Sequence, residues 1–97
     1  MSSWQVYILR CGDGTLYTGI TNRLAARVKA HNSAGGAKYT RGRRPVVLVW
    51  NTPCKSRGAA LSLEYAIKQL TRRQKQALIA AAGAARKRML GNLKASM

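Results

Sequence analysis

Ninety-seven residues, 46% of them hydrophobic, make one small domain with a real core and leave no room for a second. No apolar stretch approaches the roughly 20 residues that span a bilayer, and the N-terminal Met-Ser-Ser-Trp-Gln carries no secretory pattern, so the cytoplasm is the expected compartment. Eighteen Lys and Arg against two acids leave a formal charge of +16, an imbalance whose self-repulsion calls for a polyanion, and nucleic acid is the expected partner rather than a membrane surface.

Residues 4–10, Trp-Gln-Val-Tyr-Ile-Leu-Arg, are rich in β-branched and aromatic types and end at Gly-Asp-Gly, after which 15–20 read as a second strand of a hairpin. In residues 22–32, Leu24 and Val28 recur at helical spacing, with Thr21 or Asn22 available as N-cap. From Ser33 to Arg44 there is no periodicity, and the segment holds two adjacent glycines, Lys38, Tyr39 and three arginines: a basic loop. Pro45 opens the apolar run Val-Val-Leu-Val-Trp, which predicts a strand buried on both faces. A second helix is predicted over 56–69 with Ala60, Leu63, Ile67 and Leu70 as its buried stripe. Thr71 followed three residues on by Gln74 has the pattern of a capping box and predicts a third helix from 71 to Gly83. Residues 84–97 read as a basic helix or tail appended to a domain of residues 1–83. The fold class is α/β: a small mixed three-stranded sheet flanked by helices, in the order β-β-α-β-α-α.

Side chains capable of chemistry are few. Cys11 and Cys54 fit neither a metal pair nor a disulfide framework and read as free thiols. Asp13 and Glu64 are the two carboxylates, which excludes acid-rich calcium loops, multi-carboxylate two-metal sites and glycosidase pairs. Asp13 sits in ordinary turn chemistry, leaving Glu64 as the candidate cation ligand, weighed against a surface pair with Lys68 four residues on. Tyr7 and Tyr17 lie on the two hairpin strands. An odd loop, such as 11–15, sets Tyr7 against Gly19 and puts both phenols on one face, whereas a two-residue loop separates them. Arg27 and His31, four apart on the first helix, both turn toward the sheet.

Taken in order, Val6-Tyr7-Ile8, Tyr17-Thr18-Gly19, Arg27, His31 and a single Glu64 on a later helix resemble the GIY-YIG nuclease superfamily over about residues 4–79. Within it the chain is similar to the small stand-alone bacterial proteins of the YhbQ (UPF0213) type. Val6 stands where the first motif has glycine and Thr18 where the second has isoleucine, and neither change removes a functional group. The resemblance implies a DNA endonuclease that hydrolyses phosphodiester bonds with one Mg²⁺ or Mn²⁺ ion, structure-selective action in repair or recombination being one setting. It implies Glu64 as metal ligand, Arg27 as the cation on the scissile phosphate, and Tyr7 as base or proton relay, positioned by Tyr17 and His31, with His31 as the competing base. A base at Tyr7 needs the surrounding cations to favour the phenolate, and the net charge gives that direction. Lys38, Tyr39, Arg41, Arg43 and Arg44 are the expected nucleic-acid strip, for branched or single-stranded DNA with RNA left open. The alternative function is a basic nucleic-acid-binding protein without catalysis.

Overall fold

The computed structural model describes residues 3–33 and 42–95. Strands β1 (Trp4–Arg10) and β2 (Leu16–Thr21) form the hairpin, α1 (Leu24–His31) follows, and β3 (Val47–Cys54) leads to α2 (Arg57–Lys68), α3 (Arg72–Ala80) and α4 (Gly83–Ala95). β1 is the central strand of the order β2-β1-β3, and both of its pairings are antiparallel, so the three-stranded sheet holds no parallel pair.

Alternation along β1 assigns the two faces. Val6 and Ile8 pack with Trp50, with Ala60, Leu63 and Ile67 of α2, and with Leu78 of α3, while Met89, Leu90 and Leu93 of α4 close this layer. Of the stripe expected on α2 the helix buries Ala60, Leu63 and Ile67, while Leu70 lies past its end and is partly buried; each large side chain fully buried contributes about 1.5–3 kcal/mol of transfer free energy. The basic terminal segment folds as α4 because those three apolar positions reach the core. On the opposite face, Tyr7 and Leu9 pack with Cys11, Val46 and Leu48, under Leu24 and Val28 of α1.

β3 departs from the expectation of a strand buried on both faces: Val47 is 52% exposed. A bulge sets Ile8 against Trp50 and Leu9 against Leu48, passing over Val49. The extra residue reverses the side-chain alternation, so Trp50 joins the α2 face and Leu48 the α1 face. An unbroken apolar run is what a bulged strand feeding both layers requires.

Local chemistry sets the helix starts. Ser56 caps α2, its hydroxyl accepting from the Ala59 N–H, and the Thr71–Gln74 capping box of α3 is complete in both directions. The start of α1 differs from expectation. Arg23 is the N-cap residue and makes no side-chain cap, and the Thr21 hydroxyl instead accepts from the Arg23 N–H at 3.0 Å.

Candidate active site

The hairpin loop is the odd one. The Cys11 N–H donates to the Thr15 carbonyl, Gly14 takes φ +87° to close the turn, and the register pairs Tyr7 with Gly19 and Leu9 with Tyr17. Both phenols therefore emerge beneath α1. The Tyr7 ring lies over Gly19, where a Cβ would stand 2.6 Å from Oη and 2.7 Å from Cζ. Glycine at 19 is thus a requirement of close approach, and what approaches its backbone is the protein's own phenol.

From the last turn of α1, His31 descends onto this phenol with no solvent exposure, its Nε2 3.0 Å from Tyr7 Oη. Tyr17 completes a three-ring cluster, its centroid 5.1 Å from that of His31 and 6.2 Å from that of Tyr7. Arg27, one turn before His31, brings its guanidinium beside the Tyr7 hydroxyl. A polar cluster at the sheet surface, anchored on the central strand and covered by one short helix, is the result.

Electrostatics here correct one expectation. Burial, with the Tyr17 hydroxyl adding to it, pushes the Tyr7 phenol up to about 12 despite the opposing Arg27 charge. Desolvation acts on the ring itself, whereas most of the chain's cations are spread over solvent-exposed positions and screened, so net charge does not produce a phenolate. His31 moves the other way: burial first, and the Arg27 charge second, lower it below the usual histidine value of 6.5. The imidazole is accordingly neutral at pH 7 and able to accept a proton.

Asn32 is a residue whose part was not evident from sequence. Its amide brackets Val46, accepting from the Val46 N–H at 2.7 Å and donating to the Val46 carbonyl at 3.0 Å. This clamp mimics a strand pairing and ties the end of α1, with His31 on it, to the segment entering β3. No spacing pattern marks it, because the partner is backbone 14 residues away.

Glu64 belongs to α2, on the other side of the sheet from the phenol cluster. Its side chain is 18% exposed, with Oε2 3.5 Å from the Lys68 ammonium. This i,i+4 pair, whose lysine is half-exposed, contributes only about 0.3–0.5 kcal/mol and leaves the carboxylate available to a stronger ligand. Among the described residues no three His, Cys, Asp or Glu gather as a metal cage.

Of the expected nucleic-acid strip, Lys38, Tyr39 and Arg41 lie outside the described residues. Arg43 donates from Nε to Asp13 Oδ2 at 3.0 Å, and the exposed Arg44 donates to the Asn32 carbonyl at 3.4 Å. Asp13 is held below its ordinary carboxylate value chiefly by the Thr15 hydroxyl and N–H, with Arg43 assisting. Cys11 and Cys54 are free thiols. No helix among the described residues is long and apolar enough to cross a membrane.

Residues 3–77 match the model of the GIY-YIG catalytic domain. Among curated relatives, the UPF0213 protein DP2720 of Desulfotalea psychrophila is 55% identical over 80 residues, covering 81% of this chain and 73% of that one. The UPF0213 protein CPE1444 of Clostridium perfringens is 58% identical over 74 residues, covering 76% and 80%. The solution structure of the UPF0213 protein BH0048 from Bacillus halodurans is similar with a TM-score of 0.55 at 44% identity, over 88% of this chain and 90% of that one.

Proposed function

Given that the chain belongs to the GIY-YIG catalytic domain family, we propose that it is a nuclease hydrolysing phosphodiester bonds in DNA with one divalent cation. The observation that carries this reading is the buried Tyr7–His31 hydrogen bond with Arg27 and Tyr17 beside it. Four polar side chains gathered at a sheet surface, in a chain with +16 net charge, suit a polyanionic substrate whose reaction moves one proton.

Tyr7 acts as a relay rather than as a standing phenolate, in keeping with its raised pKa. Its hydroxyl donates to His31 Nε2. As a water oxygen attacks phosphorus, that water's proton passes to Tyr7 Oη while the Tyr7 proton passes to Nε2, leaving an imidazolium. The bond from phosphorus to the leaving 3′ oxygen breaks, and that oxygen takes its proton from solvent. Tyr17 orients the water and the Tyr7 hydroxyl, and Arg27 neutralises charge growing on the phosphate oxygens.

Glu64 would hold Mg²⁺ or Mn²⁺. The angular order of α2 supports this: at about 100° per residue, Glu64 lies about 80° to one side of the buried stripe, and Ala66 a similar angle to the other. The Ala66 flank, with Ser62 and Gln69, faces Leu93 of α4, and α4 lies over β3 through Arg86, which donates to the Asn51 carbonyl. The Glu64 flank is therefore the one turned toward edge strand β2, over which Tyr7 reaches from the opposite face. A single carboxylate, largely shielded but still reached by solvent, fits an ion that keeps most of its waters and takes substrate phosphate as a further ligand. When bound, that ion supplies charge stabilisation at the leaving oxygen.

The test is Mg²⁺-dependent nicking of plasmid and branched DNA by wild type, Glu64→Ala and Arg27→Ala. Wild type nicks, and each variant loses about a hundredfold or more, the scale of removing one charge-stabilising group. Equal nicking by wild type and Glu64→Ala would overturn the reading and leave a basic binding protein.

A further inference from the structure

Outside the phenol cluster, a second concentration of charge lies at the hairpin end of β2. Arg72, the first residue of α3, donates from Nη2 to the Gly14 carbonyl at 2.7 Å, so its guanidinium is held against the hairpin tip. Lys75 follows on the next turn and is half-buried. These two cations and the chain at Thr15 and Leu16 line a cavity of about 210 Å³. Asp13, close by in sequence, is engaged by Arg43 and Thr15, and Glu64 by Lys68, so neither carboxylate of the chain neutralises the pair. The capping box occupies the Gln74 N–H of α3, so the feature rests on side chains and not on a helix terminus.

We infer that this cavity is a phosphate-binding subsite that holds the nucleic-acid backbone beside the reacting phosphate and sets its register on Tyr17; it rests on the nuclease reading for the identity of the strand. Thr15 and Leu16 lead directly into Tyr17 along an edge strand, at about 3.3 Å per residue. Leu16 and α3 belong to the α2 face and Tyr17 to the α1 face, so a strand held here passes round the edge of β2 to reach the cluster. Arg72 offers a planar fork already fixed by Gly14, and Lys75 a second charge, so a phosphate replaces repulsion between cations with two charge-assisted contacts.

The experiment measures binding of a labelled single-stranded oligonucleotide by anisotropy without divalent metal, across a salt series. The proteins are wild type, Arg72→Lys, Lys75→Ala and Lys55→Ala. Lys55 stands just after Cys54, which pairs with Trp4 at the far end of the sheet. Lys75→Ala is expected to weaken binding three- to tenfold at low salt and to flatten the slope of log K against log salt by about 0.7, while Lys55→Ala stays within twofold of wild type. Arg72→Lys keeps the charge and loses the fork, so it lowers affinity with the slope retained. Titration with inorganic phosphate should shift the Thr15, Leu16 and Lys75 amide resonances first. Equal losses in Lys75→Ala and Lys55→Ala, or phosphate shifts spread evenly over the basic surface, would overturn the subsite. Since neither readout requires turnover, nicking that is indifferent to Glu64 removes the nuclease reading alone, and uniform salt slopes remove the subsite alone.

Discussion

Replacing Gly19 with alanine probes the cluster without deleting any of its functional groups. The new Cβ would meet Tyr7 Oη at 2.6 Å and Tyr17 Cε1 at 3.1 Å, whereas ordinary contact begins at 3.4 Å. The Tyr7 hydroxyl must therefore recoil by about 0.8 Å, and β1 cannot follow because it is paired on both sides. Recoil on this scale is enough to break the 3.0 Å contact with His31. Overpacking of this kind costs about 1–3 kcal/mol of stability, so the variant folds. A misplacement approaching 1 Å at reacting groups lowers turnover about a hundredfold. The assay pairs nicking rate at saturating substrate with a urea melt. Loss of rate with a melt shifted by no more than 3 kcal/mol is the expected outcome. A Gly19→Ala protein that nicks like wild type would refute the claim that the Tyr7–His31 contact carries the proton.

In the proposed mechanism neutral His31 accepts the proton, so nicking is expected to be full above its pKa and lost as pH falls through it. Because burial lowers that pKa, the acid limb of the rate profile lies below pH 6.5, and a limb above it contradicts the assignment. The same shift sets a stability gradient. The unfolded chain takes up a proton near pH 6.5 that the folded chain refuses until lower pH, so stability falls as pH drops through that window, which melts at successive pH values detect. Asn32→Ala leaves the N–H and carbonyl of buried Val46 without their partner and costs about 1–3 kcal/mol in a denaturant melt; a loss below about 0.5 kcal/mol means the clamp is idle. Chelation of divalent ions stops nicking and Mn²⁺ restores it, while activity persisting in a chelator points to metal-free hydrolysis.

Much of this fold is legible in the sequence, because periodicity and caps act locally. The α2 stripe, the Thr71–Gln74 box and the hairpin all follow from residues within a few positions of one another. Tyr7 and Tyr17 share a face on one condition, an odd loop, which the composition of Cys-Gly-Asp-Gly leaves open and the turn at Gly14 settles. What was illegible depends on distant partners. The Asn32 clamp needs Val46, and the bulge at Val49 needs both cores competing for β3. Charge misled for a related reason. A sum over the chain points to a phenolate at Tyr7, yet the local cost of burying that oxygen is larger than the field of cations that mostly face solvent. For Glu64, sequence marks the residue as rare but not what its carboxylate serves, since the Lys68 pair and a metal site ask for the same position on α2.

In the proposed site the Glu64 carboxylate and the Tyr7, Tyr17 and His31 rings serve a common substrate across the edge of β2. Paramagnetic broadening measures it directly. With a short oligonucleotide bound, substoichiometric Mn²⁺ should broaden the ring resonances of Tyr17, Tyr7 and His31 before those of Trp4, which pairs with Cys54 at the far end of the sheet, and Glu64→Gln should abolish that preference. Broadening that is unchanged in Glu64→Gln, or that spares the three rings in wild type, would contradict it.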